Sequence, residues 1–294
     1  MNGMSKVVLA VLALTATGLA HGAAFERSVP AGPKGAVDIS SVAGRIEVTG
    51  WDRPEVAVHA ELDEGERVDV STDHDRIGVT IQLPHMSRHG GDVMLRVQVP
   101  KGSELTVSGT STDVDTRGVS GVQRLNTVSG DITAELAGSD LELKTISGSV
   151  HLKGHGQPAR LRITTVSGDV SLEHGAGELE AGTTSGQLSI SLDSARSVRV
   201  RSTSGDLKFE GALTRDAMFE ASSVSGDLRV HASAEGGYVY ELSSFSGDLS
   251  NCSKARAESE DHMPGKRLDG TLGAGAAHVR MKSMSGDIEL CDRK

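Results

Sequence analysis

Apolar and polar residues alternate along this chain in short runs that restart about every twenty positions. Each restart carries one phrase, which reads in turn TVSGDI, TISGSV, TVSGDV, TTSGQL, STSGDL, SVSGDL, SFSGDL and SMSGDI. Its glycines are Gly130, Gly148, Gly168, Gly186, Gly205, Gly226, Gly247 and Gly286. The spacing is 18 to 21 residues up to Gly247 and 39 in the last gap, about twice the average. That gap reads as one rung that has lost its phrase and kept its length. A fixed period of this size is the mark of a solenoid, propeller or array.

With each rung registered on its glycine, the inward positions line up. Five residues before it stand Leu125, Leu143, Ile163, Ala181, Val200, Ala221, Leu242 and Met281, and two after it Ile132, Val150, Val170, Leu188, Leu207, Leu228, Leu249 and Ile288. Further apolar columns fall seven before and four after. A spacing of two is strand periodicity. Each rung therefore holds a strand entering the Ser-Gly corner and a strand leaving it. Glycine opens backbone angles closed to other residues, and a neighbouring serine or aspartate can bond the local backbone, so the trio suits a tight bend. Three before the glycine stands Thr127, Thr145, Thr165, Thr183, Ser202, Ser223, Ser244 or Ser283, on the inward parity.

No single rung can outweigh its own ordering entropy, which is roughly 1 to 2 kcal/mol per residue. Stacking closes the difference, because each strand then bonds its equivalents above and below. The sequence predicts an all-β chain, a single-stranded parallel β-solenoid (a β-helix) with an N-terminal β cap. General chirality favours right-handed winding.

The first 24 residues read as a secretory signal peptide: Lys6, the apolar run Val7 to Ala16, and the small residues Gly22-Ala23-Ala24. Cleavage is expected after Ala24, with Gly22 as the alternative. The apolar run is too short to span a bilayer, and no integral membrane segment follows. Residues 25–103 read as a β-rich cap with a first degenerate rung at Val37 to Val48, where Ala43 stands in the serine position. Residues 104–294 read as the solenoid, interrupted by a polar excursion at about 251–263, after which Pro264-Gly265 brings the chain back at the expected corner. The cap would cover an open sheet edge that otherwise recruits other chains.

Charge narrows the partners. Without the leader the chain has 29 basic and 40 acidic residues, a net charge of −11, which disfavours nucleic acid and anionic membrane surfaces. The only cysteines, Cys252 and Cys291, read as a disulfide in an exported protein. Two stacked rungs between them would put them about 9.6 Å apart, beyond disulfide reach. The bond is still expected, because Cys252 opens the excursion and can swing.

The leader, the repeated Thr-Val-Ser-Gly-Asp rungs through Gly286, the Pro-Gly-Lys-Arg-Leu return at 264–268 and the cysteine pair resemble the bacterial putative-adhesin β-solenoid family, a domain of unknown function. The resemblance covers approximately Ala36 to Cys291. It implies an exported, non-enzymatic β-helical protein with a surface or adhesive role, and it brings no catalytic residues to transfer; the mature chain is expected in the periplasm or at the cell surface, with no cofactor.

Candidate chemistry is sparse. The column Asp131, Asp169, Asp206, Asp227, Asp248 and Asp287, interrupted by Ser149 and Gln187, reads as turn chemistry; the calcium alternative lacks the second glycine and nine-residue period of calcium-binding repeats. His85, His89 and Asp92 form a candidate metal group in a run that Pro84 and paired glycines place in a loop. A polysaccharide-processing enzyme is the distant rival. It needs paired carboxylates and aromatic platforms, and this chain has one Trp, two Tyr and four Phe. The acidic flank of Glu173, Glu178, Glu180, Asp193, Glu210 and Asp216 reads equally well as a solvated face. The expected function is a rigid rod that binds an envelope protein or surface polymer, with a purely structural spacer as the closest alternative.

Overall fold

The computed structural model describes residues 23–63, 65–82, 93–138, 140–252 and 265–293. These residues form strands and turns, with no helix among them. The first six strands are β1 (Ala23–Pro30), β2 (Ala36–Trp51), β3 (Glu55–Leu62), β4 (Arg67–Asp73), β5 (Arg76–Gln82) and β6 (Met94–Pro100). The repeats follow as β7 (Glu104–Arg117), β8 (Gln123–Ser129), β9 (Ile132–Glu135), β10 (Leu141–Ser147), β11 (Val150–Lys153), β12 (Ala159–Thr164), β13 (Val170–Thr183), β14 (Leu188–Ser202) and β15 (Leu207–Ser223). The chain ends in β16 (Leu228–Ala234), β17 (Gly237–Ser244), β18 (Leu249–Asn251), β19 (Lys266–Gly273), β20 (Ala277–Ser283) and β21 (Ile288–Asp292).

All 21 strands belong to one hydrogen-bonded sheet, which turns at the corners and so presents two faces. The face entering the corners stacks β4, β5, the first half of β2, the first half of β7, β8, β10, β12, the second halves of β13, β14 and β15, then β20, β17 and β19. The face leaving the corners stacks β1, β3, β6, the second halves of β2 and β7, β9, β11, the first halves of β13, β14 and β15, then β16, β21 and β18. Side chains on alternate positions of both faces fill the space between them. Leu143, Ile163, Ala181 and Val200 follow one another in register, each at most 2% exposed. The inward columns are therefore those that the period predicts.

Two features differ from the sequence expectation. The sheet is mixed: β1–β3, β3–β6, β4–β5 and β17–β19 pair antiparallel, while the other named ladders are parallel. The antiparallel pairs lie at the two ends, where a strand that reverses direction can add to an edge without another full coil.

The second difference concerns the 39-residue gap, which contains no extra rung in line with the others. Strand β19 runs antiparallel along β17 from Ser244↔Lys266 to Gly237↔Gly273. The chain then returns, and β20 inserts between β15 and β17 (Phe219↔Val279, Tyr240↔Val279) while β21 inserts between β16 and β18 (Leu228↔Ile288, Leu249↔Ile288). The last rung in sequence is thus the penultimate rung in space. Gly270 makes room for the closing strand, since a Cβ there would lie 2.3 Å from the Tyr240 hydroxyl oxygen. Insertion also removes the difficulty with the cysteines: Cys252 directly follows β18, Cys291 lies on the adjacent β21, and the two, with Cα atoms 4.9 Å apart, are joined by a disulfide.

At the other end β2 is a full rung. Ser41, Ala43 and Gly44 oppose Gly109, Ser111 and Thr112 of β7, and Ser41 Oγ donates to the Ala43 carbonyl, as Thr127 Oγ1 does to Ser129. Strand β1 begins at Ala23, opposite Leu62, so cleavage after Gly22 would leave it whole.

Candidate binding surface

The corners stack into one long edge of the molecule. A Cβ on Gly148, Gly168, Gly186, Gly205, Gly226, Gly286 or Gly247 would lie 1.9 to 2.3 Å from the carbonyl oxygen of the glycine one rung below, in that spatial order. Only Gly130, Gly148 and Gly186 of the eight have the positive φ that a side chain resists. Close approach of backbone to backbone, more than turn conformation, is therefore what requires glycine here. The hydroxyl column inside the corner has two solutions. Thr127, Thr145 and Thr183 donate to the carbonyl two residues on; Ser202, Ser223, Ser244 and Ser283 instead accept the N–H of the corner glycine at 2.7 to 2.9 Å.

The aspartate column forms a ladder. Asp113 Oδ1 accepts from the Asp131 N–H, Asp131 from Ser149, Asp169 from Gln187, Asp206 from Asp227, Asp227 from Asp287 and Asp287 from Asp248, at 2.8 to 3.1 Å. Asp248 pairs with Lys266 at the far end, and this hydrogen bond holds its carboxyl below the usual carboxylate range. One oxygen of each of these carboxylates except Asp248 thus serves the neighbouring rung.

The outward residue of the corner is one that sequence reasoning passed over. Two positions before each glycine, Val42, Val128, Ile146, Val166, Val224, Met284 and Phe245 are 44 to 58% exposed. Thr110, Thr184 and Thr203 complete the row. Its backbone is fixed by the stack, because carbonyls of Ile146, Val166, Thr184, Thr203, Val224 and Met284 accept the N–H of the serine one rung on. The row spans ten rungs, about 45 Å at the usual inter-strand spacing. The signal was in the phrase itself, since the residue between an inward hydroxyl and the corner serine must point outward and is nonetheless apolar in most rungs.

The flat face beside this edge carries a second regular feature. Six residues before the corner glycines, neighbouring strands present Arg124, Glu142, Arg162, Glu180, Arg199, Glu220, Arg280 and Glu241 in spatial order. The signs alternate throughout. Ion pairs join Arg162 to Glu180 at 3.0 Å, Arg199 to Glu220 at 3.1 Å and Arg280 to Glu241 at 2.8 Å. In sequence order Glu220 is followed by Glu241, and the alternation fails there; Arg280 restores it only because its rung is inserted. Between Met218, Val239 and His278 this face has a shallow groove of about 540 Å³.

The other expected residues have plain positions. Glu178 pairs with Arg160, Asp193 with His174 and Glu210 with Lys208; the Lys208 hydrogen bond lowers the Glu210 pKa, with His231 and Arg293 adding to it. Glu135 is lowered in the same way, first by its hydrogen bond to His155. Phe209, Phe219, Tyr238 and Tyr240 are buried and Phe245 is exposed. Arg53 stacks 4.9 Å from the Trp51 ring. His85, His89 and Asp92 lie outside the described residues.

The family model described as Toastrack DUF4097 matches residues 36–291. No curated protein sequence matches the chain. The solved structures that are similar include three at low identity. A putative adhesin from Parabacteroides merdae is 11% identical, with 92% of this chain and 96% of that chain covered and a TM-score of 0.46. One from Parabacteroides distasonis is 11% identical over 91% and 97%, with a TM-score of 0.42. One from Bacteroides fragilis is 12% identical over 91% and 97%, with a TM-score of 0.35.

Proposed function

The chain belongs to the Toastrack DUF4097 family, and from that premise we propose that it is an exported, non-catalytic, adhesin-like protein that binds a partner protein along its corner edge. In this reading the molecule is a single-stranded, right-handed β-solenoid of parallel rungs, with an N-terminal cap over its first rung. The leader is removed near residues 22–24 and the mature chain works in the periplasm or at the cell surface. The observation that supports it is the corner row from Val42 to Phe245, where seven of the ten rungs expose an apolar side chain. Apolar side chains grouped at the surface in this way are costly to leave in water and suit a partner that covers them.

Six of the eight alternating charges on the adjacent flat face are already joined in ion pairs with one another, and that favours the second reading, a spacer with no partner. One experiment separates the two. Val128, Ile146 and Val166 are replaced together by serine, and capture from an envelope fraction is compared with the parent chain. Loss of a specific partner with an unchanged thermal transition supports the binding reading. No specific capture by either chain supports the spacer, equal capture of one partner by both overturns the corner edge as its site, and turnover on a polysaccharide panel would overturn the non-catalytic reading.

A further inference from the structure

Beyond the corner edge, the face leaving the corners brings together four groups that ligate metals. On β16, β21 and the residue after β18, His231 lies opposite Cys291, and Cys291 is joined to Cys252. The Glu289 Oε1 atom lies 3.6 Å from Cys291 Sγ. The ligating atoms of His231, Glu289 and Cys291 all fall within 4.8 Å of one another. His231 and Glu289 are half-buried and Cys291 is 6% exposed.

We propose that reduction of the Cys252–Cys291 disulfide converts this end of the molecule into a zinc site held by Cys252, Cys291, His231 and Glu289. Two thiolates, an imidazole and a carboxylate make a tetrahedral set that suits a borderline-soft divalent ion better than calcium or magnesium, which take oxygen ligands. A dithiol reductant supplies the electrons. It passes two electrons and two protons to the S–S bond and leaves as its own disulfide, giving two cysteine thiols; Zn²⁺ then displaces both protons as two Zn–S bonds form. Zn–S bonds of about 2.3 Å need the sulfurs only about 3.8 Å apart in tetrahedral geometry, a separation that side-chain rotation supplies for Cα atoms 4.9 Å apart.

The surroundings fit a supporting shell. Glu210 is the register neighbour of His231 on β15, where a carboxylate can orient a ligating imidazole. Arg229, 4.0 Å from Glu289, is the cation that zinc would have to displace. The site would keep β18 tied to β21 when the covalent link is lost, so that the end of the stack stays closed under reducing conditions.

The test is a Co²⁺ and Zn²⁺ titration of the purified protein, oxidised and after reduction by a phosphine, with far-ultraviolet circular dichroism to follow the β signal. The reduced form should bind one cobalt ion with thiolate-to-cobalt charge-transfer absorption, and the oxidised form none of that kind. His231→Ala and Glu289→Gln leave the disulfide intact and should each weaken zinc at least about 100-fold, while Glu210→Gln should weaken it about 10-fold, the range for an outer-shell partner. The proposal is overturned by any of three results: no thiolate–cobalt band on reduction, loss of the β signal before metal binds, or zinc affinity unchanged by His231→Ala.

Discussion

The two ends of the molecule are closed in different ways. At the N-terminal end the strands that cover the first rung are laid down next to it in sequence: β5 and then β4 extend one face, and β6, β3 and β1 extend the other. At the far end the outermost rung, β17 with β18, precedes in sequence the rung beneath it, and the final strands thread inward. At the N-terminal end too strands nest out of sequence order, since β6 lies between β2 and the earlier β3, and β5 between β2 and the earlier β4, but no complete rung is inserted there. An inserted rung must separate two neighbours or meet them before they close, and the disulfide sits where that rung meets the three-residue edge strand β18. The far end is therefore the place where local changes should cost most, with the N-terminal cap as an internal control.

The largest effect is expected from Gly286→Val. A Cβ there lies 2.0 Å from the Gly226 carbonyl oxygen, a clash with backbone that only displacement of the inserted rung relieves, and the cost should be about 3 kcal/mol or more. Gly182→Ala is the control, because nothing lies within 4 Å of its added Cβ; urea titration should find it neutral or stabilising by up to about 1 kcal/mol. Equal losses for both would remove the special standing of the inserted rung.

Cys252→Ser comes next, at about 3 kcal/mol for a link that closes 39 residues. Hydrogen exchange should quicken in β17 to β21 and stay unchanged in β2 and β7. Uniform quickening would mean that the two ends unfold as one unit. Thiol titration of the unreduced, unfolded parent should find no free thiol.

A smaller effect appears at high pH. Burial pushes the Tyr238 phenol up from 10.0 to about 12, with Asp292 and Tyr240 adding to it. The unfolded chain therefore releases this proton first, so stability is full below pH 10 and falls as pH rises towards 12. Across that window the loss should be about 1 to 2 kcal/mol, and Tyr238→Phe should abolish it in thermal scans. Smallest is Arg280→Glu, which sets three carboxylates side by side with Glu220 and Glu241. It should cost up to about 1 kcal/mol and shrink with added salt.

Much of the fold could be read from the chain alone. The period gave the rungs, and the parity of two gave the inward columns, including the threonine and serine row. The corner glycines were recognised for turn conformation, yet five of the eight lack positive φ; contact with the next rung is invisible until rungs are stacked. The apolar row at the corner was open to the same parity argument and was absorbed into the repeated phrase. The spatial order of the last rungs also left a trace, the Glu220 and Glu241 repetition that only Arg280 can interrupt.

The sequence by itself determined which residue of each rung faces inward, because alternation along a strand is local and a shift of one position would put leucine in water. It could not determine which rung lies on which. Parallel backbone ladders bond any strand to any other, and the apolar columns are alike from rung to rung, so the hydrogen bonds and the core leave the order open. The order was decided by what the fold brings together across 39 residues: an arginine between two glutamates, an aspartate ladder that runs from Asp227 through Asp287 to Asp248, and two cysteines, one on β21 and one just past its neighbour β18.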